Sequence, residues 1–308
     1  RTQRHLLNAF SIRLRRRLRR DKMIGKNIAL LALALLLAGC GVEIDRKSDG
    51  RLRVVAMAPN TTEILFALGL SNEVVGVSRF TTYPPEAKEK PVAGGLYDPN
   101  WEMIVALQPD LVVGLKTQKE IEGQLNALGI DFLGVSHERI DDILQSILII
   151  GKACGAESEA IELFQTLEAT TLRYSASRRE VDNSSTTQKP RVLVCVGHDE
   201  TLSQMYIAAR GTFYDELIER AGGANACESS AGNYPEISPE GLAAMRPDVV
   251  IDIFPNIGKN QQEVSNHWKT YCEQVTIISD DDASIPGPRV VLLLEDFVKA
   301  IQPLDKSK

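Results

Sequence analysis

Two glutamates, Glu102 and Glu240, hold the same place in a phrase that the chain uses twice. Glu102-Met-Ile-Val-Ala-Leu-Gln-Pro109-Asp110 runs into Leu111-Val112-Val113, and Glu240-Gly-Leu-Ala-Ala-Met-Arg-Pro247-Asp248 runs into Val249-Val250-Ile251. A carboxylate in the first turn of a helix is favoured by the helix dipole and can take the forked donors of an arginine. A matched pair of them offers two anchor points to a basic partner. A second repeat agrees with the first: Glu63-Ile-Leu-Phe-Ala-Leu-Gly69 with Asn72 matches Glu216-Leu-Ile-Glu-Arg-Ala-Gly222 with Asn225. Related halves imply two similar lobes, and two lobes imply a cleft.

Catalytic patterns are missing from the chain. It has no GxSxG nucleophile elbow, no Walker phosphate loop and no HExxH. Gly94-Gly95 and Gly222-Gly223 lack the dinucleotide spacing GxGxxG. His198-Asp199-Glu200 holds acid–base groups, but consecutive residues point in different directions. Binding without catalysis is the expectation, and no resident cofactor is implied. The chain has four His and no CxxC pair, which argues against a zinc site. Cys195 lies in an apolar run and reads as a small buried hydrophobe. Cys227 and Cys272 are candidates to pair outside the cytosol, although sequence does not fix connectivity.

The ends set the compartment. Residues 1–22 are Arg-rich and begin with Arg, which reads either as a nucleic-acid arm or as an overextended start ahead of Met23. Met23-Ile-Gly-Lys26 is a short basic start, and Ile28 to Ala38 is an apolar run too short to cross a bilayer. This is the order of a secretory signal over residues 23–40, and it favours the overextended start. Its end, Leu37-Ala38-Gly39-Cys40, resembles the lipobox of bacterial lipoproteins, in which Cys40 would carry the lipid and hold the protein to a membrane of the cell envelope. Residues 1–40 contain ten Lys or Arg and one Asp, so the chain beyond Cys40 is far more acidic than the overall net charge of −6. Such a surface repels phosphate backbones, and nucleic acid is not an expected partner.

These residues need a frame to position them. Residues 41–52 read as a tether, 53–155 as a first lobe, 156–182 as a connecting helix and 188–302 as a second lobe. In the first lobe, strands at 54–57, 74–77, 111–114 and 132–135 alternate with helices at 64–68, from Glu102, at 121–128 and at 140–153. Asn60 with Glu63 reads as a capping box. A helix from Glu157 to about Glu180 could lie along both lobes as a strut, with Ile161, Phe164, Leu167 and Leu172 near helical spacing. The second lobe repeats the scheme: strands at 191–196, 249–253 and 275–278, helices at 212–221, 239–245 and 289–301. The pattern predicts an α/β fold with two Rossmann-like lobes, each a parallel sheet, joined by one long rigid helix with the ligand cleft between them.

Several ordered motifs carry a family resemblance. They are Val-Ala-Met-Ala-Pro-Asn-Thr-Thr-Glu-Ile-Leu (55–65), Gly-Val-Ser-Arg-Phe-Thr-Thr-Tyr-Pro-Pro-Glu-Ala (76–87), the doubled Glu-to-Pro-Asp phrase, Gly-Thr-Phe-Tyr-Asp-Glu-Leu-Ile-Glu-Arg-Ala-Gly-Gly-Ala-Asn (211–225) and Pro-Gly-Pro-Arg (286–289). Over residues 53–302 the chain resembles the helical-backbone (class III) substrate-binding proteins of bacterial ABC importers, in the subgroup for cobalamin, ferric siderophores or haem and nearest its cobalamin-binding members. The resemblance implies a monomer that captures cobalamin or another metal chelate, whose Co or Fe belongs to the ligand, and passes it to a dimeric permease. It implies that Glu102 and Glu240 dock into arginine pockets on the two permease subunits.

Ligands of doubly wound folds sit beyond the carboxyl ends of strands. That rule selects Pro59, Asn60, Phe80 to Tyr83, Leu96, Tyr97, His137, His198, Phe254 and Asp280 to Ser284, Asp281 and Asp282 among them, with Arg79 and Arg210 as cations for an anionic chelate. Phe80 stands where cobalamin-binding relatives present a stacking aromatic. The loop Asp280 to Ser284 and Leu96 stand where those relatives carry tryptophans, so the corrinoid assignment departs from the pattern there.

Overall fold

Strand β1 (Val54–Ala56) is buried at every position, as a strand covered on both faces must be. The computed structural model describes residues 50–182, 189–228, 232–253, 261–279 and 281–302. The basic start, the signal sequence, Cys40 and Phe254 lie outside them.

Four strands make the first sheet: β1, β2 (Val74–Val77), β3 (Leu111–Leu115) and β4 (Asp131–Val135), in the order β2-β1-β3-β4 and all parallel. On one face α1 (Pro59–Ala67) and α4 (Ile140–Cys154) pack together. The other face carries α2 (Trp101–Leu107) and α3 (Lys119–Ala127), whose Ile104, Ile121 and Leu125 close over Val55 and Val112. The expected capping box is not made. Helix α1 begins at Pro59 with Ala58 as its N-cap, which has no side-chain oxygen, so Asn60 and Glu63 lie inside the helix and both are buried. The Thr61 and Thr62 hydroxyls donate to the Ala58 carbonyl instead.

Helix α5 (Glu157–Asp182) has 26 residues, a length of about 39 Å at 1.5 Å per residue. It packs against α4 of the first lobe and against α6 (Phe213–Arg220) and α9 (Val290–Ile301) of the second. Phe164 and Leu167 are its buried contacts, whereas Leu172 is exposed. Helices α4 and α5 approach closely because position 151 is glycine: a Cβ there would strike the Ala160 Cβ.

The second sheet is built on β5 (Arg191–His198), β9 (Val249–Ile253) and β10 (Gln274–Ile278), which are parallel and in the order β10-β9-β5. The short β7 (Ala224–Asn225) pairs parallel with the start of β5. Beyond β5 the sheet departs from the parallel expectation. β6 (Met205–Ile207) and β8 (Glu236–Ile237) continue it antiparallel. The reason is chain length. The turn between β5 and β6 is far shorter than the dozen or so residues a parallel crossover needs. Asp199 fixes that turn by accepting from the amides of Ser203 and Gln204 and from the Thr201 and Ser203 hydroxyls. Helices α7 (Pro239–Met245) and α8 (Gln261–Trp268) cover one face, placing Leu242, Val264 and Trp268 over Leu193, Cys195 and Val250. Helices α6 and α9 cover the other. Cys227 and Cys272 do not pair; both are free, buried thiols, as are Cys154 and Cys195.

Candidate functional site

The doubled phrase forms the same elbow in each lobe. Asn100 caps α2, its side chain accepting from the Met103 amide at 3.1 Å, and Ser238 caps α7 by accepting from Gly241 at 3.4 Å. Glu102 and Glu240 come next, each exposed in the first helical turn. Each helix ends on a left-handed residue, Gln108 (φ 45°) and Arg246 (φ 46°), and turns into Pro-Asp. The aspartates then pin the neighbouring strand. Asp110 accepts from the Arg53 amide at 2.9 Å and Asp248 from the Arg191 amide at 2.7 Å. The guanidinium of Arg53 donates to Leu107 O, and that of Arg191 to Met245 O. The shared Pro-Asp therefore orients the helix that presents each glutamate. The Glu240 carboxyl is held below its ordinary pKa by its own backbone amide and by Ser238.

Between the lobes lies a cavity of about 310 Å³, at the lower end of the roughly 300–1,000 Å³ of ligand pockets. The first lobe contributes His137, from the loop after β4. Phe213, Tyr214, Tyr234, Ile253 and Pro286 of the second lobe face it. Phe213 and Tyr214 stack at 4.0 Å between centroids, and Tyr234 meets Tyr214 edge-on at 6.4 Å. The Tyr214 hydroxyl donates to Ala283 O at 2.8 Å and fixes that ring. Burial lowers the His137 pKa against the pull of Glu138 and Asp142, so the imidazole is neutral at neutral pH with a lone pair available. Burial, then Glu138, raises the Tyr234 pKa and keeps the phenol protonated.

Of the residues expected at the cleft, His137 and Ser284 line this cavity. Phe80 and Tyr97 are exposed on the first lobe, Phe80 near the Arg79 guanidinium and Tyr97 bonded to the Thr117 hydroxyl at 3.3 Å. Arg79 is paired with Asp98 at 2.6 Å, and Arg210 stands 3.7 Å from Glu228. Tyr83 lies instead in a second cavity of about 620 Å³ with Glu63, Leu163 and Arg289, its ring 4.2 Å from the Arg289 guanidinium carbon. Pro59 starts α1, and Asn60 is buried where Gly287 approaches it. Asp281 and Asp282 contribute backbone to a 3₁₀ turn, Asp281–Ser284. His198 departs from the expected position. It is turned into the core, its side chain 1% exposed, and bonds Asp252 at 3.0 Å. A register shift between Cys195 and Gly197 moves His198 onto the Asp252 face of the sheet. Among the described residues no cluster of three His, Cys, Asp or Glu could hold a bare metal ion.

The family of periplasmic binding proteins matches residues 54–266. The chain belongs to that family. Among its relatives is the uncharacterized ABC transporter substrate-binding lipoprotein YvrC of Bacillus subtilis, 25% identical over 92% of this chain and 98% of that one. The vitamin B12-binding protein of Salmonella typhimurium is 26% identical over 82% of this chain and 91% of its own. Among solved structures, the periplasmic heme-binding protein RhuT of Roseiflexus sp. RS-1 superposes with a TM-score of 0.67 at 27% identity, covering 82% of this chain and all of its own. The vitamin B12-binding protein BtuF of Vibrio cholerae gives 0.65 at 22% identity over 81% and 96%. The two-lobed α/β fold is that of this periplasmic binding protein family, and these relatives are named for binding rather than for catalysis.

Proposed function

We propose that the protein is the lipid-anchored substrate-binding component of an ABC importer, taking a metal-centred macrocycle, a corrinoid in the first instance, into the cleft between its lobes. The observation that carries this reading is the inter-lobe cavity faced by Phe213, Tyr214 and Tyr234 on one side and His137 on the other. Aromatic faces suit a flat conjugated ligand. A neutral imidazole suits an axial position on its metal, which arrives as part of the cargo. Names among the relatives, for vitamin B12 and for heme, support the same ligand class. Glu102 and Glu240 would dock the loaded protein onto the two halves of a dimeric permease, and Cys40 would carry the lipid.

A haem is the second reading, favoured by His137 and Tyr234 lining one cavity, since a histidine nitrogen and a phenol oxygen are both axial donors to iron. The test is a titration of the purified protein with cyanocobalamin, hemin and a ferric siderophore, following protein fluorescence and ligand absorbance. Quenching by the corrinoid at micromolar concentration supports the first reading. A shifted haem absorbance band that is lost in His137→Ala supports the second. No response to either macrocycle refutes the ligand class.

A further inference from the structure

The second repeat, Glu63 and Glu216, has no part in the cavity lined by His137 or in the docking elbows, yet both side chains are buried or nearly so. Glu63, on α1 of the first lobe, accepts from Arg289 Nε at 3.0 Å and Nη2 at 2.6 Å. Arg289 is the N-cap residue of α9, the last helix of the second lobe. Glu216, on α6 of the second lobe, meets Arg139 Nη2 at 2.5 Å and accepts from the Ile140 amide at 2.7 Å. Arg139 is the N-cap residue of α4, the last helix of the first lobe. The two contacts are the same contact with the lobes exchanged. That is the signature of an isologous interface, in which i touches j and j touches i, built here within one chain.

We infer that Glu63–Arg289 and Glu216–Arg139 are reciprocal latches that set the angle between the lobes. Helix α5 alone resists stretching and bending but leaves the lobes able to twist about its axis. Two ion pairs, each bridging the lobes with the roles exchanged, oppose that twist. Each latch is reinforced. The Tyr83 ring lies against Arg289, and Arg220 of α6 reaches Asp141 of α4 at 3.5 Å. Glu216 also accepts from the first amide of α4, where negative charge is favoured. At 2% exposure Glu63 is too dry for its charge to be left without a cation. On the proposed function, the same latches fix the width of the cleft and the spacing of Glu102 and Glu240. The lobe angle itself can be measured without ligand or permease.

Spin labels at Glu120→Cys on the first lobe and Lys269→Cys on the second report that angle in the detergent-solubilised full chain. Glu216→Gln should broaden the distance distribution, and Glu63→Gln combined with it should broaden it further. Arg139→Lys, which keeps the charge and leaves the Glu216 bond to the Ile140 amide in place, should retain the narrow distribution, whereas Arg139→Gln should broaden it. An unchanged distribution in both Glu216→Gln and Arg139→Gln overturns the latch. A protein that binds no macrocycle yet shows these distance changes would refute the ligand reading and leave the latch standing.

Discussion

His198 Nε2 stands 3.0 Å from Asp252 Oδ2, and the same oxygen accepts from Trp268 Nε1 at 2.7 Å. Asp252 is fully buried, and its Oδ1 has no hydrogen-bond partner among the described residues. Burial works against the His198 imidazolium, but the Asp252 hydrogen bond and charge, with the Asp199 carbonyl, outweigh it and raise the pKa. Folding therefore favours the protonated ring. The contribution is complete below the ordinary value of 6.5 and is lost as pH rises through the higher folded value. His137, lowered by burial, acts in the opposite sense. The expected outcome is that wild type loses more thermal stability than His198→Gln as pH rises from about 6 to about 8. Parallel profiles would contradict the pair. His198→Ala, which leaves Asp252 without its cation, should cost about 3–5 kcal/mol in denaturant unfolding.

Gly151 sets the distance between α4 and the strut. Gly151→Val forces the helices apart at Ala160 and should destabilise by about 1–3 kcal/mol, the range for overpacking a close contact. Gly123→Ala, with open space around its Cβ, should stabilise slightly, because alanine is the better helix former by about 1 kcal/mol. Equal effects in the two variants would contradict the packing argument.

Glu102→Ala with Glu240→Ala should leave ligand affinity unchanged, because neither side chain lines the cavity. The cost in stability should be small, the dipole contribution of an exposed first-turn carboxylate alone. Uptake of the ligand in cells should be abolished, with each single variant intermediate. Normal uptake in the double variant would remove the docking role.

Cys40→Ala should move the protein from the membrane fraction to the soluble envelope fraction without changing ligand affinity. Persistent membrane association would show that the anchor lies elsewhere.

The parallel frame was legible because its residues repeat. Val74–Val77, Pro239–Met245 and Val249–Ile253 are apolar runs or capped helices bounded by turn residues, and they fold where the pattern predicts. The antiparallel extension was not legible, since strands as short as Met205–Ile207 and Glu236–Ile237 hold too few residues to show a period. Helix α8 buries little beyond Val264 and Trp268, too few apolar positions to show a helical period. At the site, Tyr234 escapes sequence reasoning because its loop leads into one of those short strands. Phe213 and Tyr214 stand within the 211–225 motif, yet nothing in their spacing assigns them to the ligand. His198 is misplaced by an irregularity in β5 that inverts its facing, which residue types do not reveal. Cys40, Phe254 and the side chains of Asp281 and Asp282 lie outside the described residues.

The exchanged carboxylates bear on how the chain folds. Glu63 finds its cation 226 positions later, and Glu216 finds its own in the half already made. In a half produced alone, each of these acids would lose the opposite lobe's arginine that covers and pairs with it. Both cores should therefore melt in one cooperative transition, and fragments cut between residues 182 and 189 should become ordered only when mixed.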